Sequence, residues 1–305
     1  MKRLVLALSV MALVTACGND NKAATTTSRA TTLPSTASPG ASPSGSASPS
    51  GSPSPTINPN PGTLKRIQDR GRIVVGTKYD QPLFGLLNPS TNKPEGFDVE
   101  IAKVVAKAVL GDESKIDFVE SVSKNREPFL SDGKVDIVVA TYTINDARKK
   151  VIDFSRTYYT AGQDIMVKKS DSAITGVDSL NGKKVCSAKG STSEKNVRDK
   201  APQAELILFD TYSECADALS DGRVDAVSTD NVILLGLVSK NDEFKVVGKT
   251  FTSEPYGIGV AKGNEDLVKT IDDALGKAFA DGSWKKAYES TVGSVAGPAP
   301  EPPTS

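Results

Sequence analysis

Strand-like and helix-like segments alternate along most of the chain, from Thr63 to Ala296. Short apolar runs are typical of buried strands, and longer amphipathic runs are typical of helices packed on a sheet. The alternation predicts an α/β fold with helices on both faces of parallel sheets, and the length favours two lobes. The predicted strands are Arg72–Thr77, Val135–Ala140, Lys184–Ser187, Glu205–Phe209 and Val224–Ser228. The predicted helices are Asp98–Leu110 with Asp98 as N-cap, Glu127–Asp132, Thr192–Asp199, Tyr212–Ser220, Leu267–Ala280 and Trp284–Tyr288.

The N-terminus has the pattern of an export signal. Lys2 and Arg3 precede an apolar run from Leu4 to Ala16, which is shorter than the roughly 20 residues of a spanning helix. Small residues precede Cys17 and a polar stretch follows it, as in a bacterial lipoprotein. Residues 1–16 are therefore expected to be removed and Cys17 to be acylated, the alternative being an ordinary signal peptide with an incidental cysteine. The mature protein is then expected outside the cytoplasm, anchored to the cell membrane by its N-terminal lipid.

Residues 17–62 lack the pattern of a folded domain. Between residues 23 and 56 the chain consists almost entirely of Ala, Thr, Ser, Pro and Gly. Such a segment has too little apolar surface to offset its ordering entropy, so we expect a disordered linker that acts as a spacer. Residues 297–305 are expected to form a second disordered tail.

Composition excludes several classes of function. The chain has 37 Lys and Arg against 37 Asp and Glu, a balance that argues against nucleic-acid binding. It has no histidine, which excludes histidine-based catalytic triads, histidine acid–base catalysis and ordinary zinc sites. No P-loop or dinucleotide-binding fingerprint is present. We therefore expect no metal and no cofactor.

Two cysteines remain if Cys17 carries lipid. Cys186 lies on a predicted strand, and Cys215 lies on the helix that follows the next strand. Neighbouring βα units can bring such positions within bridging distance, and an oxidising compartment favours the bond. A disulfide between Cys186 and Cys215 is predicted, with two buried free thiols as the alternative.

Polar side chains follow four of the predicted strands, at the ends where α/β sheets bind ligands. Arg148 comes five residues after Thr143, and a guanidinium beside hydroxyl groups can hold a small carboxylate. The alternative is a surface loop with a solvated ion pair. Ser191 and Glu194 fit a helix-capping box, and the same helix start can also bind an anion. The polar groups at strand ends are Lys78 and Tyr79, then Thr141, Tyr142 and Thr143, then Gly190 to Ser193, and Asp230.

A series of motifs follows in one order along the chain: GTKYDQP from Gly76, EGFDV from Glu95, GKVD from Gly133, Thr143 with Arg148, DFS from Asp153, and GRVDAV from Gly222 ahead of Asp230. With these motifs the chain resembles, from Leu64 to Ser290, the polar amino-acid-binding proteins of bacterial ABC importers, so a binding protein rather than an enzyme is expected. The resemblance implies a type II periplasmic-binding-protein-like fold, in which two lobes close on the ligand by a hinge. Lobe 1 would comprise residues 63–162 and 254–296, and lobe 2 residues 163–253.

The resemblance also implies roles for individual residues. Arg148 matches the arginine that clamps the ligand α-carboxylate, with the Thr143 hydroxyl and the Thr141 backbone beside it. Ser191 and Thr192 match the helix start of lobe 2 that meets the same carboxylate. Asp230 matches the acid that takes the α-ammonium.

The expected ligand is an acidic amino acid. Many relatives with neutral or basic ligands carry an acid where this chain has Lys78, which disfavours a cationic ligand side chain. The run from Asn125 to Leu130 resembles the segment that offers an arginine, here Arg126, to a side-chain carboxylate. L-Glutamate is therefore expected, with L-aspartate or L-glutamine as weaker ligands. The alternatives are that Lys78 points to water at the lip and that Arg126 forms an ion pair on a helix surface.

The resemblance implies that a monomer delivers the ligand to a membrane permease driven by a cytoplasmic ATPase. An amino-acid sensor that signals to a membrane partner would use the same lobes. A dehydratase is a weaker alternative, because some proteins of this fold are enzymes.

Overall fold

A computed structural model of the protein describes residues 63–304. The expected signal peptide, Cys17 and the expected linker up to residue 62 lie outside the described residues. Within residues 63–304, no helix is both long enough and apolar enough to cross a membrane.

The strands are short and are numbered in chain order. They are β1 (Ile73–Thr77), β2 (Asp80–Gln81), β3 (Gly85–Asn88), β4 (Lys93–Glu95), β5 (Ile116–Glu120), β6 (Ile137–Val138), β7 (Ile152–Phe154), β8 (Tyr159–Ala161), β9 (Gln163–Lys168), β10 (Lys184–Ala188), β11 (Glu205–Phe209), β12 (Ala226–Asp230), β13 (Phe244–Val246), β14 (Glu254–Tyr256) and β15 (Gly259–Ala261).

The helices alternate with these strands as the sequence predicted. They are α1 (Thr63–Arg70), α2 (Phe97–Leu110), α3 (Arg126–Ser131), α4 (Asp146–Lys149), α5 (Thr192–Lys200), α6 (Tyr212–Ser220), α7 (Asn231–Val238), α8 (Glu265–Asp281), α9 (Ser283–Thr291) and α10 (Gly293–Ala296). Short 3-10 turns cover Ser123–Asn125 and Val177–Leu180. Residues 297–304 have no helix or strand, and half-buried Ala299 packs against the first core described below.

The first lobe is built on a sheet with the order β5-β1-β6-β15-β7. β1 pairs in parallel with β5 and β6, whereas β15 runs antiparallel to β6 and β7. Alternating residues of β1 such as Ile73 and Val75 pack with α2, α8 and α9 in one core. Leu130 of α3 belongs to a separate core on the other face, with Val138 of β6. Helices therefore cover both faces of this sheet.

The second lobe repeats the plan with the order β11-β10-β12-β9-β13. β10 pairs in parallel with β11 and β12, and β9 runs antiparallel to β12 and β13. Helices α6 and α7 pack on one face of this sheet and α5 on the other. The predicted disulfide is present in the core between this sheet and helices α6 and α7. It joins buried Cys186 of β10 to buried Cys215 of α6, whose Cα atoms are 5.5 Å apart.

Two crossing segments join the lobes. β8 leads from the first sheet to the second and β14 leads back, and the two pair antiparallel with Tyr159 opposite Tyr256. The strands that come next in the chain, β9 and β15, are the ones that enter their sheets antiparallel. The sheets are therefore mixed, and the expectation of parallel sheets was wrong for these strands. A helical crossover connects parallel strands. A strand that follows a crossing segment has no such crossover before it, so it can enter the sheet in the antiparallel direction.

Some predictions of strand and helix bounds were wrong where long-range contacts determine the local structure. The predicted strand Val135–Ala140 forms a ladder only at Ile137–Val138, although the Val139 N–H still donates to the Gly76 carbonyl at 2.9 Å. Thr141, just beyond the predicted strand, is left-handed with φ 43°. Asp98 was predicted to be the N-cap of α2. The cap is Gly96 instead, and the Asp98 side chain is buried in tertiary hydrogen bonds. Gly111 ends α2 in the left-handed conformation, with φ 73°.

Candidate ligand-binding site

A small cavity lies between the two lobes, at the carboxyl ends of strands from both sheets. The space between its wall atoms, counted together with its opening to solvent, is about 210 Å³. The first lobe contributes residues that follow β5 and β6, and the second contributes residues around the ends of β10, β11 and β12. This is the edge at which open α/β sheets bind ligands. The cavity is lined by Ser123, Arg126, Thr141, Ser191, Thr192, Ser193, Tyr212, Thr229, Asp230 and Ile233.

Arg148 lies at the seam between the lobes. Its Nε donates to Oε1 of Glu127 at 3.0 Å, and Nη1 donates to the Thr143 carbonyl at 2.7 Å. Nη2 is 3.4 Å from the carbonyl of Gly190 in the second lobe. A guanidinium has five N–H donors, so these three contacts leave donors for a further acceptor. The Thr143 hydroxyl is 3.4 Å from the Thr192 hydroxyl, across the same seam.

Arg126 is buried beneath the cavity and is held by carbonyl groups. Its Nη1 donates to the carbonyl of Ala140 at 3.1 Å and lies 3.4 Å from that of Thr141. The ring of buried Tyr142 lies 4.2 Å from the Arg126 guanidinium carbon and 4.8 Å from that of Arg148. One aromatic ring thus supports both arginines by cation–π contact. No carboxylate of the described residues lies within ion-pair distance of Arg126.

Lys78 is a second buried cation beside the site. Its side chain is 2% exposed, and Nζ donates to the Ser123 hydroxyl at 2.9 Å. Burial, together with the charge of Arg126, lowers the pKa of this amine from 10.5 to about 7. Like Arg126, it forms no ion pair with the carboxylates in residues 63–304. A buried cation without a counter-charge is costly unless a ligand supplies one.

Asp230 supplies the negative charge of the second lobe. Its Oδ2 accepts a hydrogen bond of 2.6 Å from the hydroxyl of Tyr256 on β14. Its Oδ1 is buried and has no hydrogen-bond partner among the described residues. Burial, followed by the nearby charge of Glu254, raises the pKa of this carboxyl to about 7. The free oxygen can accept a hydrogen bond from an ammonium group in the cavity.

The start of α5 is capped by side chains and also lines the cavity. The Ser191 hydroxyl accepts from the backbone N–H of Glu194 at 2.9 Å, and the Glu194 carboxylate accepts from the N–H of Gly190 at 2.8 Å. Ser191, Thr192 and Ser193 nevertheless line the cavity. The positive end of the helix dipole therefore faces the cavity, where it can stabilise an anion.

Most of the residues selected from sequence meet at this cavity. Arg126, Thr141, Ser191, Thr192 and Asp230 line it. Thr143 and Arg148 lie at the seam between the lobes. Tyr142 packs beneath the two arginines in a core of the first lobe, and Lys78 donates to Ser123, which lines the cavity. Tyr79 instead lines a larger groove whose walls come from both lobes.

Sequence reasoning missed four residues that line the cavity. Ser123 follows the end of β5, and Tyr212 begins the helix after β11, so the strand-end rule could have found both. Thr229 is the residue before Asp230, and Ile233 lies on the first turn of α7. No sequence signal distinguishes these last two from ordinary buried positions.

Further contacts between the lobes lie outside the cavity. Lys124 pairs with Asp210 at 2.6 Å, and the backbone N–H of Tyr212 donates to Asp80 at 2.8 Å. Across residues 63–304, no group of acidic or cysteine side chains is arranged to hold a metal ion.

Comparison with known proteins agrees with this architecture. The glutamine-binding protein GlnH of an ABC transporter from Bacillus subtilis (strain 168) is 48% identical over 231 residues, which cover 75% of this chain and 84% of that protein. The glutamate-binding protein GluB from Corynebacterium efficiens is 37% identical over 243 residues, which cover 76% of this chain and 82% of GluB. A solved structure of an ancestral arginine-binding protein bound to glutamine is 43% identical, with a TM-score of 0.69, and covers 73% of this chain and 99% of that one.

These relatives are binding proteins, so the chain is a binding protein rather than an enzyme. The two-lobe fold expected from the resemblance is also confirmed. Residues 73–294, most of the described chain, match one family of such proteins. The chain belongs to the bacterial extracellular solute-binding proteins, family 3.

Proposed function

We propose that the protein captures L-glutamate between its two lobes outside the cytoplasm and delivers it to an ABC importer. The observation that carries this proposal is the pair of buried cations, Lys78 and Arg126, which have no carboxylate within ion-pair distance among the described residues. The side-chain carboxylate of glutamate supplies the missing charge. Aspartate has the same charge on a shorter side chain and is a weaker candidate.

The α-groups of the ligand have partners of their own. Arg148, Thr143 and the start of α5 receive the α-carboxylate, because guanidinium donors and a helix N-terminus converge there. The free Oδ1 of Asp230 receives the α-ammonium. Because these partners come from both lobes, the ligand stabilises the closed arrangement, and the crossing segments β8 and β14 act as the hinge.

L-Glutamine is the second candidate. The 48% identical relative is named as a glutamine-binding protein. A Lys78 amine with a pKa of about 7 is only partly charged at neutral pH, so it can also serve a neutral amide. Glutamate and glutamine differ by one side-chain charge. The contribution of Lys78 to the affinity for each ligand therefore distinguishes between them.

The deciding experiment is isothermal titration of the refolded protein with both ligands, for the unmodified chain and for Lys78→Met. Methionine keeps most of the volume and removes the charge. If glutamate is the ligand, its affinity falls about 10- to 100-fold and that of glutamine changes little, since a buried charge-assisted bond contributes roughly 1.5–3 kcal/mol. Lys115→Met, at an exposed lysine ahead of β5, is the matched control and should change neither affinity.

Equal losses for both ligands would exclude Lys78 as a partner of the side-chain carboxylate. Tight glutamine binding with weak glutamate binding in the unmodified protein would favour the second candidate. Binding of neither would reject the proposed function.

The proposal includes a lipid anchor at Cys17. It is supported by the sequence pattern of basic residues at the N-terminus, an apolar run, and small residues directly before the cysteine. In cells, Cys17→Ser should move the protein from the membrane fraction to the medium. Retention of the Cys17→Ser protein in the membrane fraction would argue for a different attachment.

A further inference from the structure

Thr141 has a backbone conformation that its residue type disfavours. Its φ is 43°, in the left-handed region. A branched Cβ makes this region a genuine outlier, and such residues cost about 1–3 kcal/mol unless their surroundings hold them. The strain lies in the wall of the cavity, because Thr141 is one of the lining residues.

Asp98 holds this residue from the core side. Its Oδ2 accepts a hydrogen bond of 2.8 Å from the backbone N–H of Thr141. Its Oδ1 accepts one of 2.6 Å from the hydroxyl of Tyr158. Asp98 and Tyr158 are fully buried, so neither bond competes with water. The tyrosine fixes one carboxylate oxygen, and the other is thereby aimed at the strained peptide.

The conformation of Thr141 also determines what lies around it. The carbonyls of Ala140 and Thr141 accept from Arg126. The Thr141 hydroxyl donates to the Ala140 carbonyl at 2.8 Å and lies 3.0 Å from Oε1 of Gln81. A rotation of the 140–141 peptide would therefore move the acceptors that orient the buried guanidinium.

We infer that Asp98 is a positioning residue for ligand binding, which keeps Thr141 in the left-handed conformation and, through it, orients Arg126. Asp98 does not line the cavity. Its charge also acts on the nearby cations Lys78 and Arg126, and only the effect that passes through the backbone of Thr141 should disappear when that residue is glycine. The predicted effect on affinity rests on the proposed function, amino-acid binding. The predicted effect of Asp98 on the backbone conformation of Thr141 does not depend on that function.

The experiment is a double-mutant cycle on the full chain with Asp98→Asn and Thr141→Gly, read by isothermal titration with glutamate and glutamine. The asparagine side chain keeps the size of the aspartate but loses the charge that favours the N–H bond. When Thr141 is unmodified, we expect Asp98→Asn to lower affinity for both ligands about tenfold or more, as released backbone strain implies. Glycine adopts positive φ without strain. In the Thr141→Gly background the same substitution should therefore cost less than about threefold.

Asp136→Asn is the matched control. This buried aspartate precedes β6, at the opposite end from Thr141, and accepts from the backbone N–H of Val74 at 2.7 Å. It should lower the melting temperature without changing affinity. Equal losses for Asp98→Asn in both backgrounds, or no loss in either, would overturn the inference.

A crystal structure of ligand-free Asp98→Asn gives a second readout that needs no ligand. We expect Thr141 to leave the left-handed region, and a φ that stays near its present value would overturn the inference. If the unmodified protein binds no amino acid but Thr141 rotates in this structure, the proposed function fails and the positioning role of Asp98 stands.

Discussion

Asp98 in the first lobe and Asp230 in the second are alike in almost every respect except one. Both are buried, and burial raises the pKa of each carboxyl to about 7. Each accepts a hydrogen bond of 2.6 Å from a tyrosine near a crossing segment, Tyr158 or Tyr256. Asp98 has partners on both oxygens, whereas Oδ1 of Asp230 has none among the described residues. The number of protein partners, rather than burial or pKa, separates a carboxylate that shapes a site from one that is open to a ligand.

The largest expected effect comes from removing the charge of Asp230. In Asp230→Asn the ligand ammonium would be buried without its counter-charge, at a cost of about 4 kcal/mol, or roughly a thousandfold in affinity. Isothermal titration should show this loss for every amino acid that binds. Ligand-free thermal stability should hold or rise, because an incompletely paired buried acid is removed. A variant that binds normally would show that Asp230 does not receive the ammonium group.

The pH dependence of binding should be the next largest effect. An ammonium ligand needs ionised Asp230, and the pKa of that carboxyl in the free protein is about 7. Lys78 gains its charge over the same range, because the pKa of its amine is also about 7, and this gain would strengthen glutamate binding. In Lys78→Met, where that opposing contribution is absent, affinity should therefore fall by up to about tenfold per unit as the pH drops below 7. Titrations between pH 5 and 8 test this expectation. A flat profile would mean that the carboxylate is already ionised in the free site or is not used.

Stability in the absence of ligand should change with pH in the opposite sense. A carboxyl with a folded pKa near 7 and an ordinary value of 3.8 binds more protons folded than unfolded between those limits. The contributions of Asp98 and Asp230 to stability therefore fall as the pH rises from about 4 to 7. Urea unfolding of Asp230→Asn and the unmodified protein should diverge across this window, in favour of the variant. Parallel curves would contradict the raised pKa of Asp230.

The two tyrosines give the smallest and most selective comparison. Tyr256→Phe leaves both oxygens of Asp230 without a protein donor, so its ionised form is less favoured and affinity should fall severalfold at pH 7. Tyr158→Phe leaves Asp98 its bond to the Thr141 N–H, so it should mainly lower stability, by about 1 kcal/mol. Titration and thermal unfolding of both variants measure the contrast. Similar affinity losses would show that the two carboxylates are not functionally distinct.

The sequence predicted what depends on local pattern. Asp230 and Thr192 follow or end strands whose apolar runs are short and well bounded, so the strand-end rule found them. The role of Asp98 was missed because its partner, Thr141, is 43 residues away in the chain, and an aspartate at a helix start is ordinarily a cap. The antiparallel strands β9 and β15 were missed for a similar reason. Their direction depends on where the chain re-enters each sheet, which composition does not encode.

The disulfide makes the lobes unequal before any ligand is present. It closes a loop of sequence separation 29 within the second lobe, while the described residues of the first lobe contain no cysteine. In the chain-entropy account, such a loop restricts the unfolded ensemble by about 3–4 kcal/mol. That contribution exists only where the bond can form and persist. The half of the site that carries Asp230 and the start of α5 thus depends on the redox state of its surroundings, and the half that carries Arg126 and Arg148 does not.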